Sequence, residues 1–378
     1  MPERTESAGF RAAAFAVVLF ALAGFAFLLS PLPASAAQIS IVNGNTTSIS
    51  KWPWQVAIAD SQSRRTRESP RARFFCGGSL ITPDLVVTAG HCVADLKPRA
   101  VRKLEVITGR TRLNREDTGA VTGVSKALLP VNSKGKRRYD THNGGARWDV
   151  ALLRLDSPVS GPTIKIAGDD EARSWAPGQL VSTTGWGVTG SNNRKASSVL
   201  RVANQVMLAD QVCRRYNGND YDPRTMNCLG GPAIHSSTCF GDSGGPLVAP
   251  LGSEYRLVGL TSFGDPYCSP YLPSVDSRIA ADPMRGWVRS TALRISGIDV
   301  VGSGGIIAPA RTWCRIPDLD GLTLKRAKAA IRARGCSVAR VHRAFGYFPG
   351  SRGRIVGASF VAGWLAPVGT GVKLWVGR

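Results

Sequence analysis

The stretch 238–247, "TCFGDSGGPL", sets Ser243 between Asp242 and a pair of glycines, with Cys239 and Pro246 on either side. A serine hydroxyl is a weak nucleophile at neutral pH. It needs a base within hydrogen-bond reach and a third group to orient that base. The chain offers one candidate of each kind in a suitable setting. His91 lies in "VVTAGHC", where a strand is expected to end beside a cysteine. Asp149 lies in "RWDVALLRL", an acid at the mouth of an otherwise apolar strand, where burial would leave it acceptor-only and able to fix the imidazole tautomer. Taken alone, "GDSGG" reads as a tight turn. With His91 and Asp149 ahead of it, the three residues point to attack by Ser243 on a carbonyl. His142, in a loop, and His235, ahead of the serine segment, are read as incidental.

These residues must be held by a β-rich body. Short runs such as "WQVAIA" (54–59), "DLVVTA" (84–89), "VALLRL" (150–155), "QLVSTTGWG" (179–187) and "RLVGLTSFG" (256–264) are bounded by Gly, Pro, Asn or Asp. That pattern predicts many antiparallel strands in a sandwich or barrel. A helical pattern first shows at "DPMRGWVRSTALR" (282–294), and the aperiodic, Gly-Ser-Gly-Gly-centred stretch 295–311 reads as a linker. Beyond it, residues 312–378 form a small α+β unit. Thr323 can cap a helix that repeats Leu324, Ala327 and Ile331 on one face, Gly335 can end it, and "GRIVGASF" and "GVKLWVG" alternate like strands. Cys314 and Cys336 flank that helix. A module this small has little core, so a bridge between them would add about 3 kcal/mol.

Composition sets the surroundings. The 378 residues, 43% of them hydrophobic, suffice for two domains. Arg4 and Arg11 precede an apolar run from Ala12 to Leu29, after which Ala34-Ser35-Ala36 offers a cleavage site. Residues 1–36 are read as a signal peptide, the alternative being an uncleaved membrane anchor. Eight cysteines, none in C-x-x-C spacing, read as disulfides of a secreted, extracellular protein rather than as a zinc site. The net charge of +22 is diffuse, with clusters at 63–73 ("SRRTRESPRAR") and 133–138 ("SKGKRR") and across the C-terminal end. Such runs serve as solvated faces or meet an anionic surface, for which a cell envelope is the expectation. No stacking aromatics are interleaved to suggest nucleic acid.

In chain order, "IVNG", "WPWQVAI", "CGGSL", "TAGHC", "DVALLRL", "GWG", "GDSGGPL" and "SFG" resemble the chymotrypsin-fold, trypsin-like serine proteases over residues 41–294. The resemblance implies a mainly β fold of two antiparallel six-stranded barrels with His91, Asp149 and Ser243 in the cleft between them. It implies an oxyanion hole from the N–H groups of Gly241 and Ser243, with disulfides Cys76–Cys92, Cys213–Cys228 and Cys239–Cys268. Ser237 falls at the floor of the primary pocket, where trypsins carry an aspartate, and Thr238, Ser262, Gly264 and Ser274 fall on its walls and substrate strand. An apolar or small side chain is therefore expected there. Asp276, in place of a tyrosine near that floor, could instead attract a basic one, or be hydrogen-bonded to Thr238 or water. The resemblance also implies that residues 37–40 are a short propeptide and that a new amino group on Ile41 pairs with Asp242. Ser40 before the cut excludes a trypsin-type activator. No cofactor or metal is expected. "GRTRLNREDTG" (109–119) lies where some relatives bind calcium, and Arg110 and Arg112 argue against it.

The C-terminal unit, through "CRIPDLDGLTLKRAKAAIRARGC" and its Gly-rich end, resembles a PASTA domain, which implies peptidoglycan or an anionic wall polymer as partner; a spacer without a ligand is the other reading. The expected protein is a monomeric secreted endopeptidase acting on proteins or peptides through an acyl-enzyme. A wall-binding protein with a silent protease-like scaffold is the alternative.

Overall fold

The structure is a computed structural model of the 378-residue chain. It describes residues 41–303 and 313–378, apart from 43, 62–67, 143–144, 191–194, 231–235, 345–350, 361, 363–364 and 368. The expected signal segment, the propeptide and residues 304–312 of the expected linker lie outside the described residues, as does His235. Among the described residues no helix is long and apolar enough to cross a membrane.

Strands β1 (Gln55–Asp60), β2 (Phe74–Thr82), β3 (Leu85–Thr88), β4 (Leu104–Thr108), β5 (Ala120–Leu128) and β6 (Ala151–Leu155) close a barrel in the order β1-β2-β3-β6-β5-β4. Alternate residues Val56, Ile58, Val86, Val106, Val124 and Leu153 fill one buried cluster. Their neighbours Ala57, Val87, Ile107 and Leu152 enter a second cluster shared with Val181, Leu247 and Leu257 from the other half of the domain. Both faces of these strands are covered, which is why they read as continuous apolar runs rather than a clean alternation.

A second barrel repeats the plan. It comprises β7 (Leu180–Gly185), β8 (Arg201–Met207), β9 (Met226–Gly230), β10 (Pro246–Leu251), β11 (Glu254–Phe263) and β12 (Ser274–Ser277). They run β8-β7-β10-β11-β12-β9, and β9 returns to β8 through Val206↔Gly230 and Met207↔Leu229. Numbered within each barrel, the cyclic order is the same. The expected two six-stranded antiparallel barrels are present.

Helix α1 (Asp210–Asn217) lies between β8 and β9, and helix α2 (Met284–Ser296) follows β12. In α2, Met284, Val288 and Ala292 are buried at four-residue spacing, and Gly297 caps the end in a left-handed conformation. Residues 295–302 were expected as the start of the linker, and the structure corrects this. Helix α2 runs to Ser296, Val300 is buried, and Ile166 donates to the Val300 carbonyl at 2.8 Å while Gly302 donates back to Ile166 at 2.8 Å. The apolar Val300-Val301 pair holds this stretch on the protease body. The basic run 63–73 also departs from a purely solvated face. Ser69 caps a single turn, Pro70–Arg73, and the Arg73 guanidinium is buried against Glu105 at 2.9 Å.

The C-terminal unit contains β13 (Trp313–Arg315), α3 (Leu324–Ala333), β14 (Ser337–Ala344), β15 (Ile355–Ala358), β16 (Leu365–Pro367) and β17 (Gly371–Gly377). Thr323 accepts from the Arg326 N–H at 3.4 Å as the expected cap, and Ala327 and Ile331 are buried. β17 is central in its sheet, parallel to β14 and antiparallel to β15. Val372 and Leu374 of β17 pack with Ala327, Ile331 and Ile355. Cys314 and Cys336 are bonded at 2.06 Å.

Candidate active site

The Ser243 loop is fixed by backbone bonds on both sides. Gly77 donates to the Ser243 carbonyl at 2.8 Å, Gly244 to Thr261 at 2.8 Å, and Gly245 to Asp242 at 2.9 Å. Two glycines make this course possible. Gly241 has φ +94°, and a Cβ there would meet Gly187 and Phe74. Gly244 has φ +73°, and a Cβ there would lie 2.1 Å from the Thr88 hydroxyl. At 241 the positive φ disfavours any side chain, and a Cβ would press on Gly187 and Phe74 at 3.2 and 3.3 Å. Cys239–Cys268 ties the loop to the segment after β11.

His91 sits in a 3₁₀ turn, Gly90–Cys92, that follows β3 and is bridged to β2 through Cys76–Cys92. Asp149 stands just before β6 and is fully buried. One carboxylate oxygen accepts the His91 backbone N–H at 2.7 Å, and the other lies 2.8 Å from His91 Nδ1. This pair holds the ring by two points and reserves Nδ1 as a donor. Burial lowers the His91 pKa, but the charge and hydrogen bond of Asp149 outweigh it, and the net shift is upward from 6.5. Two hydroxyls complete the setting of Asp149, and sequence reading assigned this role to neither. Ser262, expected only on the substrate strand, donates to its carboxylate at 2.5 Å, and Ser277 donates to its peptide oxygen at 2.6 Å. Both come from the second barrel, so strands of one barrel secure the acid of the other.

Asp242 is fully buried and accepts from Gly187 at 2.9 Å and Cys239 at 3.0 Å. Burial raises its carboxyl to about 7, against the lowering effect of those two N–H groups. A Cβ on Gly185 or Gly187 would land 2.2 Å or 2.5 Å from that carboxyl group, which explains both glycines of "GWG". Ile41 is fully buried, and Val42 bridges to Ser237, whose N–H donates to it at 3.1 Å.

Beside Ser243 opens a cavity of about 240 Å³ lined by Thr238, Phe240, Thr261, Ser262 and Gly264. Ser237, next to Thr238 in the chain and not among the residues lining the cavity, is 6% exposed, its hydroxyl turned onto the Thr238 carbonyl at 3.0 Å. A Cβ on Gly264 would touch Ser274, which is buried and accepts from Gln205 at 3.3 Å. Asp276 is fully buried, and neither of its oxygens has a hydrogen-bond partner among the described residues, Thr238 included. On the far side of the loop, Gly241 and Phe240 border a groove of about 440 Å³ with Phe74, Phe75 and Arg71.

Cys213–Cys228 joins α1 to β9 at 2.06 Å, so all eight cysteines are paired. In the loop at 109–119 the buried Arg110 guanidinium donates to the Thr118 carbonyl at 2.9 Å and the Leu113 carbonyl at 3.0 Å.

A model of the trypsin family matches residues 41–288. A protein from Saccharopolyspora erythraea called trypsin is 31% identical over 241 residues, which span 64% of this chain and 94% of that protein. With both barrels and the Asp149–His91 pair beside the serine loop, the chain belongs to the trypsin family and is a serine endopeptidase of the chymotrypsin type.

Proposed function

We propose that the protein is exported and hydrolyses peptide bonds through Ser243, His91 and Asp149. His91 Nε2 takes the Ser243 proton as Oγ attacks the carbonyl carbon. The N–H groups of Gly241 and Ser243 receive the negative charge on the oxygen. Collapse breaks the C–N bond, His91 returns the proton to the leaving amine, and an acyl-enzyme remains. Water, deprotonated by His91, then releases the acid and restores Ser243. The Asp149–His91 geometry carries this reading, because it presents the ring with Nε2 free to act as base. A serine-phosphonylating reagent should react with one equivalent of enzyme and abolish hydrolysis of a casein substrate. A protein that does not react would leave the silent scaffold.

Activation follows from Asp242, which has no cationic partner among the described residues and sits at the foot of the serine loop. The α-amino group freed by removing residues 37–40 would supply that partner, with Ile41 already buried. Protein beginning at Ile41 should be active and protein beginning at Ala37 poorly so. Full activity of the longer form would mean that Asp242 is neutralised otherwise.

The C-terminal unit would hold the enzyme at an anionic wall polymer such as peptidoglycan with its attached acidic chains. Its support is the exposed basic set Lys325, Arg326, Arg332, Arg340, Arg343 and Lys373. Full-length protein should be retained on isolated walls at low salt and released at high salt.

A further inference from the structure

We propose that Arg147, Arg214 and Arg224 form a binding site for a phosphate dianion on the flank of the second barrel. The cavity beside Ser243 and the groove at Phe240 share no lining residue with it. The inference stands whether or not Ser243 is catalytic.

Three stretches of chain bring the arginines to one pocket of about 330 Å³. Arg147 ends the strand pair Asp140–His142 and Gly145–Arg147, two residues before Asp149. Arg214 lies on α1, and Arg224 in the loop between α1 and β9. Tyr221, Asp222 and Pro223 complete the wall. Two of the guanidinium groups are held in place. Arg147 Nη2 donates to the Asn219 carbonyl at 2.9 Å, and Arg224 sends Nε and Nη2 to the two oxygens of Asp222 at 3.1 Å each. Arg214 is exposed and makes no ion pair among the described residues.

What this pocket lacks is an acceptor. Arg147 Nε is buried and donates to nothing among the described residues, and a buried donor without a partner loses its hydration uncompensated. Asp222 is the one acid in the lining, and Arg224 occupies both of its oxygens. Burial raises the Asp222 carboxyl, but the hydrogen bonds and charge of Arg224, with the charge of Arg147, outweigh burial and take it below 3.8, so it is ionised at neutral pH. Asp140, opposite Arg147 in its strand pair, makes no ion pair with it among the described residues. Tyr221 brings no charge, its hydroxyl being engaged with Asp210 and the Met226 carbonyl. Three guanidinium charges against one carboxylate leave an excess of two positive charges at this wall. A phosphate dianion matches that excess, and its several acceptor oxygens can take donors from three guanidinium groups at once. A carboxylate brings one charge and two oxygens, which leaves one arginine unanswered.

Thermal unfolding of the full-length protein, followed in sodium phosphate near neutral pH and in sodium chloride of equal ionic strength, tests the site. At about 10 mM phosphate the midpoint should rise by about 2 °C over the chloride control, the shift expected for a Kd of about 1 mM. Arg214→Glu, at an exposed helix position, should abolish that rise and leave hydrolysis of casein unchanged. Arg147→Gln should abolish it as well. A peptide carrying one phosphoserine, added in place of inorganic phosphate, separates the two sources of the group. Binding about tenfold tighter than inorganic phosphate assigns the site to a phosphorylated chain, and equal or weaker binding assigns it to the free ion. A midpoint that moves no further in phosphate than in chloride, a rise matched by acetate, or a rise that survives in both variants overturns the proposal. If Arg147→Gln does not fold, Arg214→Glu decides the matter.

Discussion

The two barrels share one cyclic strand order and differ in what fills them. The first is packed with Val56, Ile58, Leu80, Val86, Val106, Val124 and Leu153. The second adds to its apolar residues, Val181, Leu247 and Leu257 among them, the buried polar side chains Thr183, Gln205, Asn227, Thr261 and Asp276, each 5% exposed or less, where the first buries the smaller Thr82, Thr88 and Thr108. An identical topology therefore does not require an identical core. The apolar interior stabilises in proportion to the area it removes from water. The polar interior costs stability, because unpaired buried groups lose their hydration without recovering it.

The largest expected difference between the barrels is kinetic. Ser243→Ala or His91→Ala should lower kcat by about 10⁴-fold or more, each nearly as much as both together, because the groups act as a unit. The thermal midpoint should barely move, and turnover retained by Ser243→Ala would remove the serine from the mechanism. In the first barrel the effects should be the reverse. Leu153→Ala should cost about 2–5 kcal/mol in denaturant unfolding, with kcat/KM per folded molecule unchanged.

A smaller effect separates the interiors by pH. The Asp276 carboxyl rises from 3.8 to about 8 on folding, by burial first and then by repulsion from Asp149 and Asp242. Between those values the native state holds a proton that the unfolded chain has released, so stability falls as pH climbs through the window and levels off above it. Asp276→Asn should reduce that slope, leaving the part that the Asp242 carboxyl, raised to about 7, contributes, and be more stable at pH 8 by a few kcal/mol. An unchanged slope would mean that the carboxylate is solvated or paired in solution. The smallest effect concerns His91. Its upward shift places the acid limb of the kcat/KM profile above pH 6.5, and Asp149→Asn should move that limb down as well as slow the reaction.

What could be read from the sequence divides along similar lines. Ser243 and His91 each lie in a short glycine-bearing motif and Asp149 at the head of a short apolar run, so each is announced by its immediate neighbours along the chain, although glycines such as Gly244, packed against Thr88, answer to tertiary contacts. The hydroxyls of Ser262 and Ser277 on Asp149, and the alignment of Thr261, Asp276 and Asn227 on neighbouring strands, depend on pairings between distant parts of the chain. No spacing along the chain announces them. Val300 escaped because its glycine-rich neighbours resemble a linker. Strand β14, "SVARVHRA", escaped because exposed arginines interrupt its apolar alternation. In the C-terminal unit the cap at Thr323 and the buried pair Ala327 and Ile331 were legible, since helix signals are short-range.

The proposed reaction passes through a covalent acyl-enzyme on Ser243. The most direct measurement mixes enzyme beginning at Ile41 with an activated ester of a short peptide, quenches in acid within milliseconds, and maps the adduct by mass spectrometry. One acyl group is expected, on the peptide containing Ser243, appearing in a burst and absent after His91→Ala. Rapid hydrolysis with no adduct, or with the acyl group on another residue, would contradict it.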